Sequence, residues 1–205
     1  MNGGGRIKGE DTSYWSVCFG LVAVVVIGSA VYYITSWNSE HKKTQPYDFN
    51  KPVPTDAELR TRLKDDQWHV TKENGTEPAF QNDYWNNDKP GLYVDIITGD
   101  PLFSSVDKFD AKNGRVNFTK PMPSAKLELR QDNSQGLQRV DVRAARSNSH
   151  LGWFFKDGPP PAGDHYVINS AALKFIPLDK METEGYSQFV SLFPNASPAP
   201  SVAAR

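Results

Sequence analysis

Residues 12–39 contain no Asp, Glu, Lys, Arg or His. As a helix rising ~1.5 Å per residue, that run would be roughly 42 Å long, and about 20 apolar residues already cross a bilayer core. Its centre, residues 17–27, is apolar apart from Cys18 and Gly20. Tyr14 and Trp15 stand at one end, and Tyr32, Tyr33 and Trp37 at the other. Aromatic side chains at both ends suit two membrane–water interfaces. The pattern predicts a transmembrane helix over 14–37 behind a short N-terminal segment, 1–13. A buried soluble helix is the weaker alternative, because the uncharged run is long for one. A cleaved secretory signal ending at Gly28-Ser29-Ala30 is another, but the bulky aromatics beyond it favour an anchor. Arg6 and Lys8 on one side balance Lys42 and Lys43 on the other, so positive charge does not set the topology.

The remaining chain divides by composition. Residues 38–54 are polar and hold Pro46, Pro52 and Pro54, which reads as a linker. Residues 194–205 are rich in Pro, Ala and Ser and read as a tail without a core of its own. Between them, 55–193 is long enough for one globular domain. Lys plus Arg number 23 against 24 for Asp plus Glu, a net charge of -1, so no basic field points to nucleic acid. Arg139, Arg143 and Arg146 read as a solvated face. The single cysteine, Cys18, excludes an internal disulfide, a CxxC pair and a cysteine-rich zinc site.

Within 55–193, Thr55-Asp56-Ala57-Glu58 is a capping-box pattern that predicts a short helix through Leu63. Residues 92–97, 138–144, 151–155, 165–168 and 171–176 read as strands, and 156–161 as a loop. Met181, Phe189, Leu192 and Phe193 are spaced as on a helix over 178–193, with Gly185 against it. The expected class is α+β, built round a mainly antiparallel sheet.

Ordered words carry the reading further. They include Trp68-His69-Val70-Thr71-Lys72-Glu73-Asn74-Gly75-Thr76-Glu77-Pro78 and Gly99-Asp100-Pro101-Leu102-Phe103-Ser104-Ser105. Phe118-Thr119-Lys120-Pro121, Ser149-His150-Leu151-Gly152, Asp157-Gly158-Pro159 and Ile168-Asn169-Ser170-Ala171-Ala172-Leu173 follow in order. Together they closely resemble the B-type peptide-methionine (R)-S-oxide reductases over about 55–193. The resemblance implies a domain of two antiparallel sheets with peripheral helices.

It also marks where this chain departs from the family. The family's nucleophilic cysteine lies in Arg-Tyr-Cys-Ile-Asn-Ser, which here reads His165-Tyr166-Val167-Ile168-Asn169-Ser170. Val167 stands at the nucleophile position, and a hydrocarbon cannot attack a sulfoxide sulfur. Asn113 replaces the resolving cysteine, Arg115 the tryptophan that helps hold the substrate methyl, and His165 the arginine. The second histidine of Ser-His-Leu-Gly-His becomes Trp153, while His150 and Asn169 are retained. The two CxxC pairs of zinc-bearing members become Asp95 and Thr98, then Ala144 and Ser147, so no metal is expected, and no other cofactor. His150 reads as a structural histidine, a His150–His165 pair is a thin metal site, and Asp95 reads as a strand-edge polar residue. Arg115 is expected to turn outward or to fill the old pocket against a carboxylate.

These departures predict a chain that is not an enzyme. The expected role is a non-catalytic accessory subunit of a membrane complex, with the mitochondrial inner membrane and a respiratory complex as the setting. Its expected partners are other subunits and the bilayer, through 14–37. The alternatives are a tethered module binding methionine or methionine sulfoxide on a partner, with Trp153 refilling the aromatic cage, and a reductase-family enzyme of unrecognised mechanism.

Overall fold

The computed structural model describes Tyr32, residues 45–133, Gly136 and residues 138–194. The span expected at 14–37 therefore lies outside the described residues, apart from Tyr32, as does the tail beyond Pro194. Among the described residues no helix is long and apolar enough to cross a membrane. All of them but Tyr32 belong to the unit Thr44–Arg205.

Helix α1, Asp56–Arg62, starts on the expected capping box: Thr55 N–H donates to the Glu58 carboxylate at 2.7 Å, and Glu58 N–H returns to Thr55 Oγ1. Arg62 in its last turn donates to the Ile97 carbonyl at 3.0 Å, which holds the helix against the body. A second helix, α2, Asp65–Glu73, buries Trp68, Val70 and Thr71 and ends at Asn74 in the left-handed region (φ 58°).

Among the described residues nine strands come next: β1 Gly91–Asp95, β2 Pro101–Ser104, β3 Lys108–Phe109, β4 Val116–Phe118, β5 Leu127–Asp132, β6 Arg139–Ala144, β7 His150–Phe155, β8 His165–Ile168 and β9 Leu173–Pro177. They form a three-stranded sheet, β2-β1-β9, and a six-stranded sheet, β3-β4-β8-β7-β6-β5. Every pairing is antiparallel. The main core draws on both sheets. Tyr93, Phe103 and Leu173 of the smaller sheet are buried with Phe118, Leu151 and Ile168 of the larger. Phe103 stacks on Phe118 with centroids 4.4 Å apart. The expected α+β class of two antiparallel sheets with peripheral helices describes this body.

One glycine is required by close approach. A Cβ on Gly152 would lie 2.1 Å from the Val167 carbonyl oxygen, so only a bare backbone lets β7 close on β8.

The helix expected over 178–193 is not there. The chain makes two 3-10 turns, Leu178–Lys180 and Ser187–Leu192, separated by Gly185 at φ +90°. The carbonyl of Gly185 accepts Tyr47 N–H at 2.7 Å, so the backbone leaves the helical path to meet an incoming segment. The apolar spacing is real, since Met181, Tyr186 and Phe193 are buried with Leu92 and Ile176. It serves turns rather than a helix.

Candidate functional site: the outer face of the larger sheet

Side chains alternate across a strand, so residues out of phase with the core share the opposite face. Pairing registers place Arg130, Asp141, Trp153, Val167, Asn117 and Phe109 in one row across that outer face. Val167 is 8% exposed, between Asn117 of β4 and Trp153 of β7. His165 lies two residues before it on the same face. Of the positions singled out by resemblance, Val167, Trp153 and His165 share this face and Asn113 joins it through Asn117, while Arg115 and Asn169 turn to Glu77.

An amide pair organises one half. Asn113 Nδ2 donates to Asn117 Oδ1 at 2.9 Å, and Asn117 Nδ2 returns to Asn113 Oδ1 at 2.9 Å. The backbone of Arg115 fixes both orientations: its N–H donates to Asn113 Oδ1 and its carbonyl accepts from Asn117 Nδ2. Asn117 Oδ1 therefore faces His165 Nε2, 2.8 Å away, and that nitrogen donates. His165 Nδ1 lies 2.8 Å from Asp157 Oδ1, so both ring nitrogens are engaged. Phe109 packs 5.0 Å from the His165 ring, and a cavity of about 510 Å³ opens between Phe109, Asn113, Pro159 and His165.

The other half is a charge network. His150, fully buried, holds Asp141 Oδ1 at 2.6 Å through Nδ1. Arg143 Nη1 donates to Asp141 Oδ2 and to Asn74 Oδ1, each at 2.8 Å. Burial works to raise the Asp141 carboxyl, but the bonds from His150 and Arg143 prevail and hold it below the usual carboxylate range. Arg139 lies over the Trp153 ring at 3.9 Å and pairs with Asp132 at 3.1 Å. The expectation of a solvated arginine face is corrected: Arg143 is buried, and Arg139 and Arg146 are tied down, because each finds a carboxylate close by.

Arg115 is half-buried and turns to a backbone carbonyl rather than to a carboxylate. Its Nη1 donates to Glu77 O at 2.9 Å. The Glu77 carboxylate beside it caps the turn Ser170–Ala172 through the N–H groups of Ser170 and Ala171. Burial pushes the Glu77 carboxyl up, with those N–H groups and Arg115 opposing. Asn169 ties strands, taking Glu77 N–H and donating to Leu151 O at 3.1 Å. His150 and His165 each engage a different aspartate through Nδ1.

Asp95 is not the strand-edge residue the sequence suggested. It is 1% exposed and accepts from Ile97 N–H and Thr98 Oγ1, because β1 ends there in a tight inward turn. Burial pushes its carboxyl up, against the bonds from Ser147 and Thr98. Asp95, Thr98, Ala144 and Ser147 do not fit zinc, since only one of the four offers a strong ligand. Among the described residues no group of three or more His, Cys, Asp or Glu could hold a metal ion.

Two antiparallel sheets with this outer face define a domain of the methionine sulfoxide reductase kind. Residues 63–177 match the SelR domain, and the chain belongs to that family, the B-type methionine sulfoxide reductases. It is 46% identical over 140 residues to the peptide methionine sulfoxide reductase MsrA/MsrB of Vibrio cholerae, covering 68% of this chain and 37% of the relative. The chain thus spans just over a third of the length of that curated relative. The expectation that the chain is not an enzyme is overturned by this relative, whose name is that of a catalytic reductase and points to an enzyme. The physical reason is that Val167 closes one route to sulfur, attack by a thiolate borne on β8. It does not exclude a thiol supplied from elsewhere.

Sequence reasoning missed Asp141 and Asn117, the two hubs of this face. The Asp141-Val142-Arg143 alternation on a predicted strand was the available signal.

Proposed function

We propose that the chain is an accessory subunit of a membrane protein complex, built on the methionine sulfoxide reductase fold and tethered through residues 14–37. The mitochondrial inner membrane is the proposed setting. The supporting observation is the uncharged run at 12–39, joined to a domain with an open apolar surface. Phe80, Val106 and Leu192 are 56%, 62% and 38% exposed around Trp85, beside a cavity of about 760 Å³. Exposed apolar patches of this kind suit a protein partner.

The relative's activity, reduction of methionine sulfoxide in peptides, is the chemistry proposed for the outer face. In such a reaction two thiols become a disulfide while the sulfoxide oxygen leaves as water. The chain's own thiol, Cys18, lies within the proposed span, so a reductant or partner protein supplies the thiols. Recognition of methionine side chains by Trp153 is the weaker reading, since Arg139 already lies over that ring.

Alkaline carbonate extraction followed by affinity purification in mild detergent tests the proposal. The full chain is expected in the membrane pellet and, once solubilised, with stoichiometric partner chains. Release into the carbonate supernatant removes the tether, and purification alone removes the subunit role.

A further inference from the structure

Two loops at one end of the domain share a backbone form. At 95–98, Gly99 N–H donates to Asp95 O at 2.8 Å, with Gly99 at φ +80°. At 144–147, Asn148 N–H donates to Ala144 O at 2.9 Å, with Asn148 at φ 55°. These are the loops on which zinc-bearing members of the family carry their paired cysteines. Here the backbone form persists with a donor set that does not fit the metal.

Other groups join the loops. The buried Asp95 carboxylate accepts from Thr98 Oγ1 at 2.8 Å in its own loop, and Ser147 of the facing loop helps hold its carboxyl down against burial. From outside, the segment 47–49 lies across both. Tyr47 OH donates to Asp100 Oδ1 at 2.5 Å and sits 3.0 Å from Thr98 O. Arg146 donates from Nη2 to Tyr47 OH at 3.0 Å, pairs through Nε with Asp100 at 2.9 Å and reaches the Phe49 carbonyl. The Tyr47 ring stacks on Tyr186 with centroids 5.3 Å apart, and Tyr186 OH donates to Gly99 O at 2.9 Å.

We propose that the segment 47–49, through Tyr47 and Arg146, and the buried Asp95 form a metal-free lock that fastens the loops 95–98 and 144–147 together. Tyr47 then belongs to the body of the domain, and the chain that precedes it joins the domain there rather than at Thr55. The lock rests on this geometry alone and does not depend on the membrane reading.

Hydrogen–deuterium exchange on the full chain in detergent tests it. Tyr47→Phe keeps the ring and removes the hydroxyl that ties the segment 47–49 to both Asp100 and Arg146. Hydrogen bonds to charged groups of this kind are strong enough that amides at 95–100 and 144–149 should exchange about tenfold faster. Amides of β4 and β8 should not change. Arg146→Gln should loosen the same two loops. Unchanged exchange at both loops, or an equal rise over the whole sheet, overturns the lock. A second chain carries Asp95→Cys, Thr98→Cys, Ala144→Cys and Ser147→Cys and is supplied with Zn²⁺. In it, one bound zinc should cancel the effect of Tyr47→Phe. A bound zinc that leaves that effect undiminished shows that the lock and the metal do different jobs, and also overturns the proposal.

Discussion

Replacing Asp141 by asparagine keeps the shape of the side chain and removes the one negative charge between Arg143 and His150. Asp141 is 13% exposed at its side chain and Arg143 10%, so water screens the pair poorly. Removing one partner of a buried pair costs about 3–5 kcal/mol, much of it from the charge left behind. Arg143 would keep neutral acceptors at Asn74 Oδ1 and at the Asn148 carbonyl, which places the cost near the low end, about 3 kcal/mol. For a domain of this size each kcal/mol moves the midpoint by about 2–4 °C, so Asp141→Asn should lower Tm by roughly 6–12 °C at pH 7. The pH dependence has a definite sign. The Asp141 carboxyl is held below its unfolded value, so its contribution is full above the ordinary carboxylate range. It disappears as the pH falls through the folded value. Thermal unfolding followed by circular dichroism, for both chains at steps from pH 7 to pH 3, should show their Tm values converging at the acid end. A loss under about 2 °C at pH 7, or a gap that stays constant down to pH 3, would refute the reasoning.

Three further outcomes rest on the same face and core. Val167→Cys puts a thiol beside Asn117 and should raise turnover of a methionine-(R)-sulfoxide peptide with dithiothreitol; adding Arg115→Trp and His165→Arg should raise it further, and no response in either chain means the site is misplaced. Turnover by the unmodified chain must draw its thiols from the reductant or a partner protein, because the proposed span 14–37 holds Cys18 in the bilayer, so Cys18→Ser should leave it unchanged; loss of turnover in that chain contradicts the tether. Gly152→Ala forces a Cβ to 2.1 Å from Val167 O and should unpair β7 from β8, read as lost amide protection in both strands; intact protection contradicts the close approach.

Legibility in the sequence tracks how local the stabilising bonds are. The capping box at Thr55 and the strands β6, β7 and β8 are carried by local bonds and by alternation of buried and exposed side chains, and both show in the residue order. Strand β8 fell at its predicted residues because Tyr166 and Ile168 point to the core while His165 and Val167 face away. Helix α2 escaped notice because Lys64 offers no side-chain cap to its N-terminus and its buried residues, Trp68, Val70 and Thr71, form no clear helical stripe. Strands β2 and β4 are only four and three residues long, too short for periodicity to speak. Strand β5 is at the sheet edge with its middle exposed, so it carries little apolar signal. Resemblance singled out the positions, and the registers put Trp153 and Val167 in one row with His165 on the same face. It could not show that Arg115 ends on a backbone carbonyl, or that Asp95 is buried, because those depend on neighbours distant in the chain.

The most direct test of the account is native electrophoresis of the tagged full chain in mild detergent, followed by mass spectrometry of the band. The account predicts migration far above 22.9 kDa with stoichiometric partner subunits, and loss of that migration when residues 12–39 are deleted. Migration near the mass of the chain itself, with no partner in the band, would contradict it.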